Sequence, residues 1–324
     1  MTACAENSPN RDNQNRNRLR SWLELARLPN VITAAIEPMA GWLLSGGPRL
    51  APPDESGWLP AWLLLPLAGM SFYAGGIILN DVCDATIDAR ERPERPIPSG
   101  RIDRRAALVV GAVLLCNGVL LAMMTGTGTS PMIALALVLA ILLYDAVLKQ
   151  SVVGPWMMGT CRGLSVILGA SIAQDFGGPA LWWFSGGIAL YVAGITWLSR
   201  AEVNSSRATP VVWGLVLQNV GMLILIGCAL QARRFPAAHQ DRPVIPLEGL
   251  LILALSALWV NAVVGAAWSN PSTQAVRRAV KTGVLSLAWL EAGVVASVLG
   301  VLWCVPMLIL WAGARIAARK FMVT

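Results

Sequence analysis

The sequence predicts an all-α, polytopic membrane protein, and three observations carry that prediction. Hydrophobic residues make up 56% of the 324-residue chain and charged residues only 13%, against about 25% charged in a typical soluble domain. Nine apolar runs follow one another, each close to the roughly 20 residues that a helix needs to cross a bilayer. The basic residues are distributed unevenly between the segments that join those runs. A buried helix in a soluble protein explains one such run, not nine.

The elements read in order along the chain. Residues 1–24 are polar, and Met1 to Arg20 is rich in Asn and Arg with no apolar core. This is a disordered tail rather than a cleavable signal peptide, leaving 25–324 as one transmembrane domain. The apolar runs lie near Pro29–Ser45, Trp58–Leu79, Arg105–Thr125, Pro131–Leu148, Val153–Ile172, Ala180–Leu198, Pro210–Leu230, Leu247–Trp268 and Leu285–Ala312. The last exceeds the length needed, so tilting, kinking, or an interfacial start around Ala275–Lys281 is expected.

A net charge of +7 raises the question of nucleic acid, and its distribution answers it. With the N-terminus inside, seventeen basic residues fall in cytoplasmic segments and seven on the opposite side, with Arg162 inside a span. That is the positive-inside bias of a membrane protein, with the active-site mouth cytoplasmic and the C-terminus outside. Six scattered cysteines with no C-x-x-C pattern imply neither a disulfide framework nor a zinc site. His239 is the only histidine, in an expected outer loop, which removes histidine base chemistry and histidine-liganded metals from consideration.

The most informative stretch is Asn80–Gly100, directly after the second run. Asp81, Asp84 and Asp88 stand at i, i+3 and i+7, which places them within roughly 60° of one another on a helix. Three carboxylates on one stripe at the negative pole of a helix repel one another. A hard divalent cation removes that conflict, and Mg²⁺ binds through one or two carboxylates while leaving positions for phosphate oxygens. Arg90, Arg92 and Arg95 follow at once, and guanidinium groups recognise phosphate bidentately. Acidic cluster then basic cluster at the mouth of a membrane helix reads as a metal–diphosphate site. Solvated loop charges are the plainer alternative, which the register of the aspartates disfavours.

N-D-x-x-D-x-x-x-D followed by R-P-I-P-S-G resembles the first aspartate-rich motif of the UbiA superfamily of intramembrane prenyltransferases. Arg27-Leu28-Pro29-Asn30 resembles the family's R-x-P-N signature, and Tyr144 to Lys149 its Y-x-x-x-L-K element. The resemblance implies nine helices around a central cavity, arranged as two four-helix pseudo-repeats and a final helix, with the second and sixth spans each ending in an acidic loop. Here the second loop, Ser199 to Pro210, lacks the D-x-x-x-D core and offers only Glu202, with Asn204 as a neutral oxygen ligand. Glu202 is therefore either a weak ligand or a solvated residue paired with Arg200 or Arg207. An intact first motif with a lapsed second most resembles the EboC-like branch.

The resemblance implies Mg²⁺-dependent transfer of an isoprenyl group from an allylic isoprenyl diphosphate to a hydrophobic acceptor, aromatic or lipid-like, within a bilayer such as the plasma membrane. Asp81, Asp84 and Asp88 are the implied metal ligands, with Arg95 and Lys149 stabilising the leaving group. Asn80, Arg92, Tyr144, Arg162, Glu202 and Asn204 complete the implied binding set. Several pairings stay open: Arg162 with the diphosphate or with Asp145, and Lys149 with phosphate or with Asp145. Glu37 and Glu291, inside spans, are either general bases or hydrogen-bonded structural carboxyls. The alternative function is a catalytically weakened relative that binds or moves a metabolite or lipid; an ion-coupled transporter is disfavoured because charge collects at the mouth rather than the midplane.

Overall fold

A computed structural model describes residues 11–47, 60–173, 176, 178–202, 208–238, 246–269 and 272–321. These residues form helices and connecting turns, with no strand among them. In chain order the helices are α1 (Arg11–Leu25), α2 (Leu28–Thr33), α3 (Ile36–Leu44), α4 (Ala61–Glu91), α5 (Arg104–Met123), α6 (Thr129–Leu143), α7 (Gly154–Ala170), α8 (Gly178–Ser199), α9 (Ala208–Leu230), α10 (Leu247–Ser269), α11 (Thr273–Leu299) and α12 (Val305–Phe321). Among the described residues, eight helices are long and apolar enough to cross a membrane. The α2–α3 pair and the shorter α7 pack among them as part of the same bundle. The surface confirms the environment: Leu223 and Leu258 are each 67% exposed, and Leu108, Leu135, Leu255 and Ile309 are exposed too. Apolar side chains facing outward on every long helix belong in lipid. The protein is an integral, multi-pass membrane protein.

Each expected run becomes helical, with three differences. The first run breaks into α2 and α3 at Ala34–Ala35. Of the expected tail, Arg11–Leu25 is helical; its last turn buries Leu25 against Ile78, Val82, Ile97 and Ile102, and that contact supplies what the polar sequence lacks. The final run is not one tilted span. α11 ends at Gly300, whose φ of 106° is a conformation suited to glycine, and α12 folds back along it. The Trp311 indole donates to the Leu285 carbonyl at 3.0 Å and meets Trp289 edge-on. The expected interfacial stretch Ala275–Lys281 is simply the start of α11. Because α12 returns to pack on α2, Arg315, Arg319 and Lys320 join the end of the bundle where the cavity opens. The expected arrangement, with those three on the far side, is thereby corrected. A hydropathy run cannot show a reversal made by one glycine and a turn of 3₁₀-helix.

Close approach between α3 and α7 depends on Gly41 and Gly169. A Cβ on Gly41 would fall on the Val166 carbonyl, and one on Gly169 on the Pro38 carbonyl. Small residues let membrane helices pack backbone to backbone. Here that contact brings Glu37 of α3 against Arg162 of α7.

Candidate active site at the cavity mouth

A cavity of about 780 Å³ lies between α4, α6, α7 and α8. Its inner walls include Phe72, Gly76, Ile77, Leu137, Ile141 and Met158, while Asn80, Asp84, Asp88, Arg92, Arg95 and Lys149 gather at its mouth. α4 runs unbroken past the apolar stretch to Glu91, so the motif sits on the last three turns of the helix.

The helical wheel of those turns decides what the aspartates do. Asn80 and Asp84 lie roughly 40° apart, Asp88 and Asp81 roughly 20° apart, and the two pairs face different neighbours. Lys149 donates to Asn80 Oδ1 at 2.7 Å and pairs with Asp84 Oδ2. Arg95 pairs with Asp88 at 2.6 Å and with Asp81 at 3.4 Å, and Arg27 reaches Asp81 at 3.2 Å. The expected trio is therefore split. Asp84 and Asp88 line the cavity, whereas Asp81, with a side chain 7% exposed, faces Arg27 and Arg95 instead. A 60° spread is wide enough to hand its two edges to partners on opposite sides of α4. Among the described residues no group of three metal-ligating side chains converges.

The loop after α4 is folded rather than loose. Ile97 and Ile102 are buried, the Ile102 amide donates to the Pro96 carbonyl at 3.0 Å, and Gly100 supplies a φ of 73°. Asp103 then caps α5 by accepting from the Ala106 amide at 2.9 Å. Arg101 binds Glu24 of α1 through two contacts of 2.7 and 3.1 Å, which raise its pKa above the ordinary arginine value, and also the Glu94 carbonyl. R-P-I-P-S-G thus presents Arg95 to the carboxylates from a fixed turn. Arg27 has φ 50° and ψ 54°, a costly left-handed conformation for a side-chain-bearing residue, held beside its ion pair with Asp81.

Across the mouth, α6 ends in a π-helical turn, Tyr144–Leu148, closed by the Lys149 amide on the Tyr144 carbonyl at 2.9 Å. Such turns re-aim side chains and recur at functional sites. This one brings Tyr144, Asp145 and Lys149 to the cavity together. Arg200, just past α8, donates to the carbonyls of Lys149 (3.1 Å) and Ser151 and stacks on Trp197 with its guanidinium 4.9 Å from the ring centroid. Arg200 is a mouth residue that the sequence does not single out, and Arg27 one that it marks only through the R-x-P-N resemblance, because their partners lie 49 to 54 positions away.

Of the two open pairings, neither goes to Asp145. Lys149 goes to Asn80 and Asp84, not Asp145, whose Oδ2 has no hydrogen-bond partner among the described residues. Arg162 pairs with Glu37, not Asp145. Arg92 lies at the exposed rim. Only the backbone of Glu202 is described, and Asn204, Arg207 and His239 lie outside the described residues.

A sequence model described as the UbiA prenyltransferase family matches residues 39–216, which include every mouth residue named above except Arg27. The chain belongs to the UbiA prenyltransferase family. Curated relatives agree: a digeranylgeranylglyceryl phosphate synthase of Methanopyrus kandleri is 35% identical over 51% of this chain and 58% of its own length. A second, from Sulfurisphaera tokodaii, is 33% identical over 47% of this chain and 52% of its own. The chain thus spans about half the length of the curated relatives it matches. Solved UbiA folds superpose more broadly at low identity. A homologue from Aeropyrum pernix K1 gives a TM-score of 0.61 at 15% identity, covering 82% of this chain and 97% of that one. A homologue from Archaeoglobus fulgidus, bound to GPP and Mg²⁺, gives 0.59 at 15% identity, covering 85% and 99%.

Proposed function

We propose that this UbiA family member transfers an isoprenyl group from an allylic isoprenyl diphosphate to an acceptor in the membrane, in a Mg²⁺-dependent reaction. One observation carries the reading: Asn80 and Asp84, one turn apart on α4, direct two oxygens at a single compact cation, the Lys149 ammonium, at the mouth of an apolar-walled cavity. Hard oxygens that converge on an ammonium fit a hard divalent cation, so Asn80 and Asp84 would hold Mg²⁺, with Asp88, which lines the same cavity one turn further along α4, as the third ligand. When bound, the ion neutralises diphosphate charge and favours departure of the leaving group. The Archaeoglobus homologues bound to GPP or DMAPP with Mg²⁺ support the same donor class.

The chain's own residues have separable roles. Lys149, across the mouth from Asp84, would donate to the diphosphate oxygens as negative charge grows on them. Arg92, at the rim, and Tyr144 add hydrogen-bond donors. Asp81, fixed between Arg27 and Arg95, is a positioning residue that sets the angle of the loop. The apolar walls take the isoprenyl tail and exclude water while the bond from C1 to the bridging oxygen breaks, its electron pair leaving with diphosphate. An acceptor carbon or oxygen then bonds to C1 and loses its proton. The digeranylgeranylglyceryl phosphate synthases among the relatives support a lipid-like acceptor, the lapsed second motif an EboC-like branch. Basic residues at the mouth end, now with Arg315, Arg319 and Lys320, support a cytoplasmic mouth; the plasma membrane as its location, and 25–324 as a single domain behind a polar segment, 1–24, remain part of the proposal.

The second reading, a weakened relative that binds or moves a metabolite, is favoured by the lone Glu202 in the second loop. Purified protein in detergent with Mg²⁺ and a panel of isoprenyl diphosphates and acceptors separates the two. Pyrophosphate release matched by prenylated acceptor is expected; Mg²⁺-dependent donor binding with no release would leave the binding reading.

A further inference from the structure

One wall of the chamber carries a charged pair that the mouth does not use. Tyr73 lies seven residues before Asn80 on α4, and Arg162 eight residues into α7 from Gly154, so both sit about 10–12 Å deeper at 1.5 Å per residue. The lining continues a turn further, to Gly69 and Ser165, so Arg162 stands in the wall partway along the chamber. Its guanidinium lies over the Tyr73 ring, 5.4 Å from the centroid, and pairs with Glu37 of α3. Glu37 is 1% exposed. Glu291 of α11, which also acts on Arg162 electrostatically, is fully buried, and neither of its carboxylate oxygens has a hydrogen-bond partner among the described residues. Neither glutamate lines the cavity, whereas Arg162 does, with its side chain 15% exposed.

A guanidinium has five N–H donors, and Glu37 Oε1 meets one of its terminal nitrogens. Donors that face a chamber lose free energy when hydrocarbon covers them, because hydrocarbon offers no oxygen. The isoprenyl tail therefore gains nothing at Arg162, and the acceptor is the reactant left with an oxygen to bring there. What charge that oxygen can carry is set by the surroundings. Glu37 cancels the one positive charge, and α3 and α7 carry no other basic residue. Arg277, Arg278 and Lys281 of α11 lie about 15 Å or more before Glu291 along their helix. Arg27, which acts on Tyr73 electrostatically and lines the same cavity, is answered by Asp81. A phosphate or carboxylate set against Arg162 would be a buried charge without a counter-ion, whereas an uncharged oxygen takes the N–H groups without that penalty. We propose that Arg162, locked by Glu37, docks an uncharged oxygen of the acceptor, and that the acceptor is a neutral phenol or alcohol rather than a phosphate or carboxylate. The inference rests on the prenyl-transfer reading of the mouth. Anchored at this depth by one oxygen, the acceptor extends toward the mouth, where its reacting atom meets C1. That class differs from the lipid phosphate in the name of the relatives, digeranylgeranylglyceryl phosphate synthase.

The test is calorimetry in detergent, with Mg²⁺ and inorganic pyrophosphate filling the mouth, of two matched pairs of probes. One pair is methyl 4-hydroxybenzoate against 4-hydroxybenzoate; the other is 1-O-butylglycerol against its phosphate ester. In the unaltered protein, the neutral member of each pair should bind about tenfold or more tightly than the anion. Glu37→Gln leaves the guanidinium without its paired carboxylate, so the preference within each pair should narrow by about tenfold or reverse. Glu37→Gln/Arg162→Leu removes both charges and should weaken the neutral members about tenfold. Pyrophosphate affinity, which does not involve Arg162, reports on the mouth and the fold of each variant. Anions bound as tightly as neutral probes by the unaltered protein would overturn the Arg162 assignment alone, as would binding of none of the four. So would a preference unchanged in Glu37→Gln, or neutral probes held equally well by a double variant that still binds pyrophosphate. Failure of pyrophosphate to bind the unaltered protein would sink the mouth reading and the acceptor assignment with it.

Discussion

The two halves of the bundle end in different ways at the same mouth. α4 closes the first half with four oxygen-bearing side chains on three turns, backed by a folded loop that delivers Arg95 to two of them. α8 closes the second half with Arg200, whose guanidinium reaches over to hold the carbonyls beyond the π-turn. The first half supplies the charges; the second positions the residue that answers them. A lapsed acidic motif therefore does not leave its half idle, because Arg200 ties α8 to the backbone of Lys149. The site is asymmetric, with carboxylates on one side and a cationic brace on the other.

The largest expected effect tests the acidic side. Asp84→Asn removes the charge shared with Lys149, and Mg²⁺-dependent affinity for geranyl diphosphate should fall by about two orders of magnitude, or ~2.7 kcal/mol, with the fold intact by circular dichroism. An unchanged affinity in calorimetry would remove the metal–diphosphate reading of α4.

Arg95→Met comes next and is a matter of stability. It strands Asp88 and leaves Asp81 to Arg27 alone, both carboxylates having side chains 7% exposed, and breaking such a buried pair by deleting one partner costs about 3 kcal/mol. The melting temperature in detergent should drop by several degrees. Adding Asp81→Asn and Asp88→Asn should recover most of the loss; if it does not, the pairing with Arg95 is not what fixes the loop.

The brace is tested by Arg200→Met. Freeing the carbonyls of Lys149 and Ser151 should loosen the π-turn and lower kcat about tenfold, near 1.4 kcal/mol, while the KM for donor shifts little. A KM effect with kcat preserved would mean that Arg200 contacts the donor directly rather than acting through Lys149.

Glu202→Gln should have the smallest effect, less than about twofold on turnover. A tenfold fall with donor affinity kept would show that the second half still recruits an ion, and would make the two halves more alike than their sequences are.

What the sequence determined was set by local chemistry. Nine apolar runs committed the chain to a helical bundle in lipid, since runs of about 20 apolar residues have the length of a spanning helix, which satisfies its own backbone groups there. The spacing of Asp81, Asp84 and Asp88 put three carboxylates on one stripe of α4, and the order of Asp and Arg residues gathered acidic and basic side chains at one mouth. Tertiary structure decided the partners. Asp81 turns away from the cavity lined by Asp84 and Asp88 because Arg27, 54 residues earlier, stands on its other side. Arg162 pairs with Glu37 rather than Asp145 because the glycine-lined contact of α3 with α7 brings that carboxylate to it. The reversal at Gly300 sends α12 back to α2, where hydropathy alone drew one long span. Periodicity fixes the direction a side chain takes from its own helix, but an ion pair forms with whichever opposite charge the fold brings within reach.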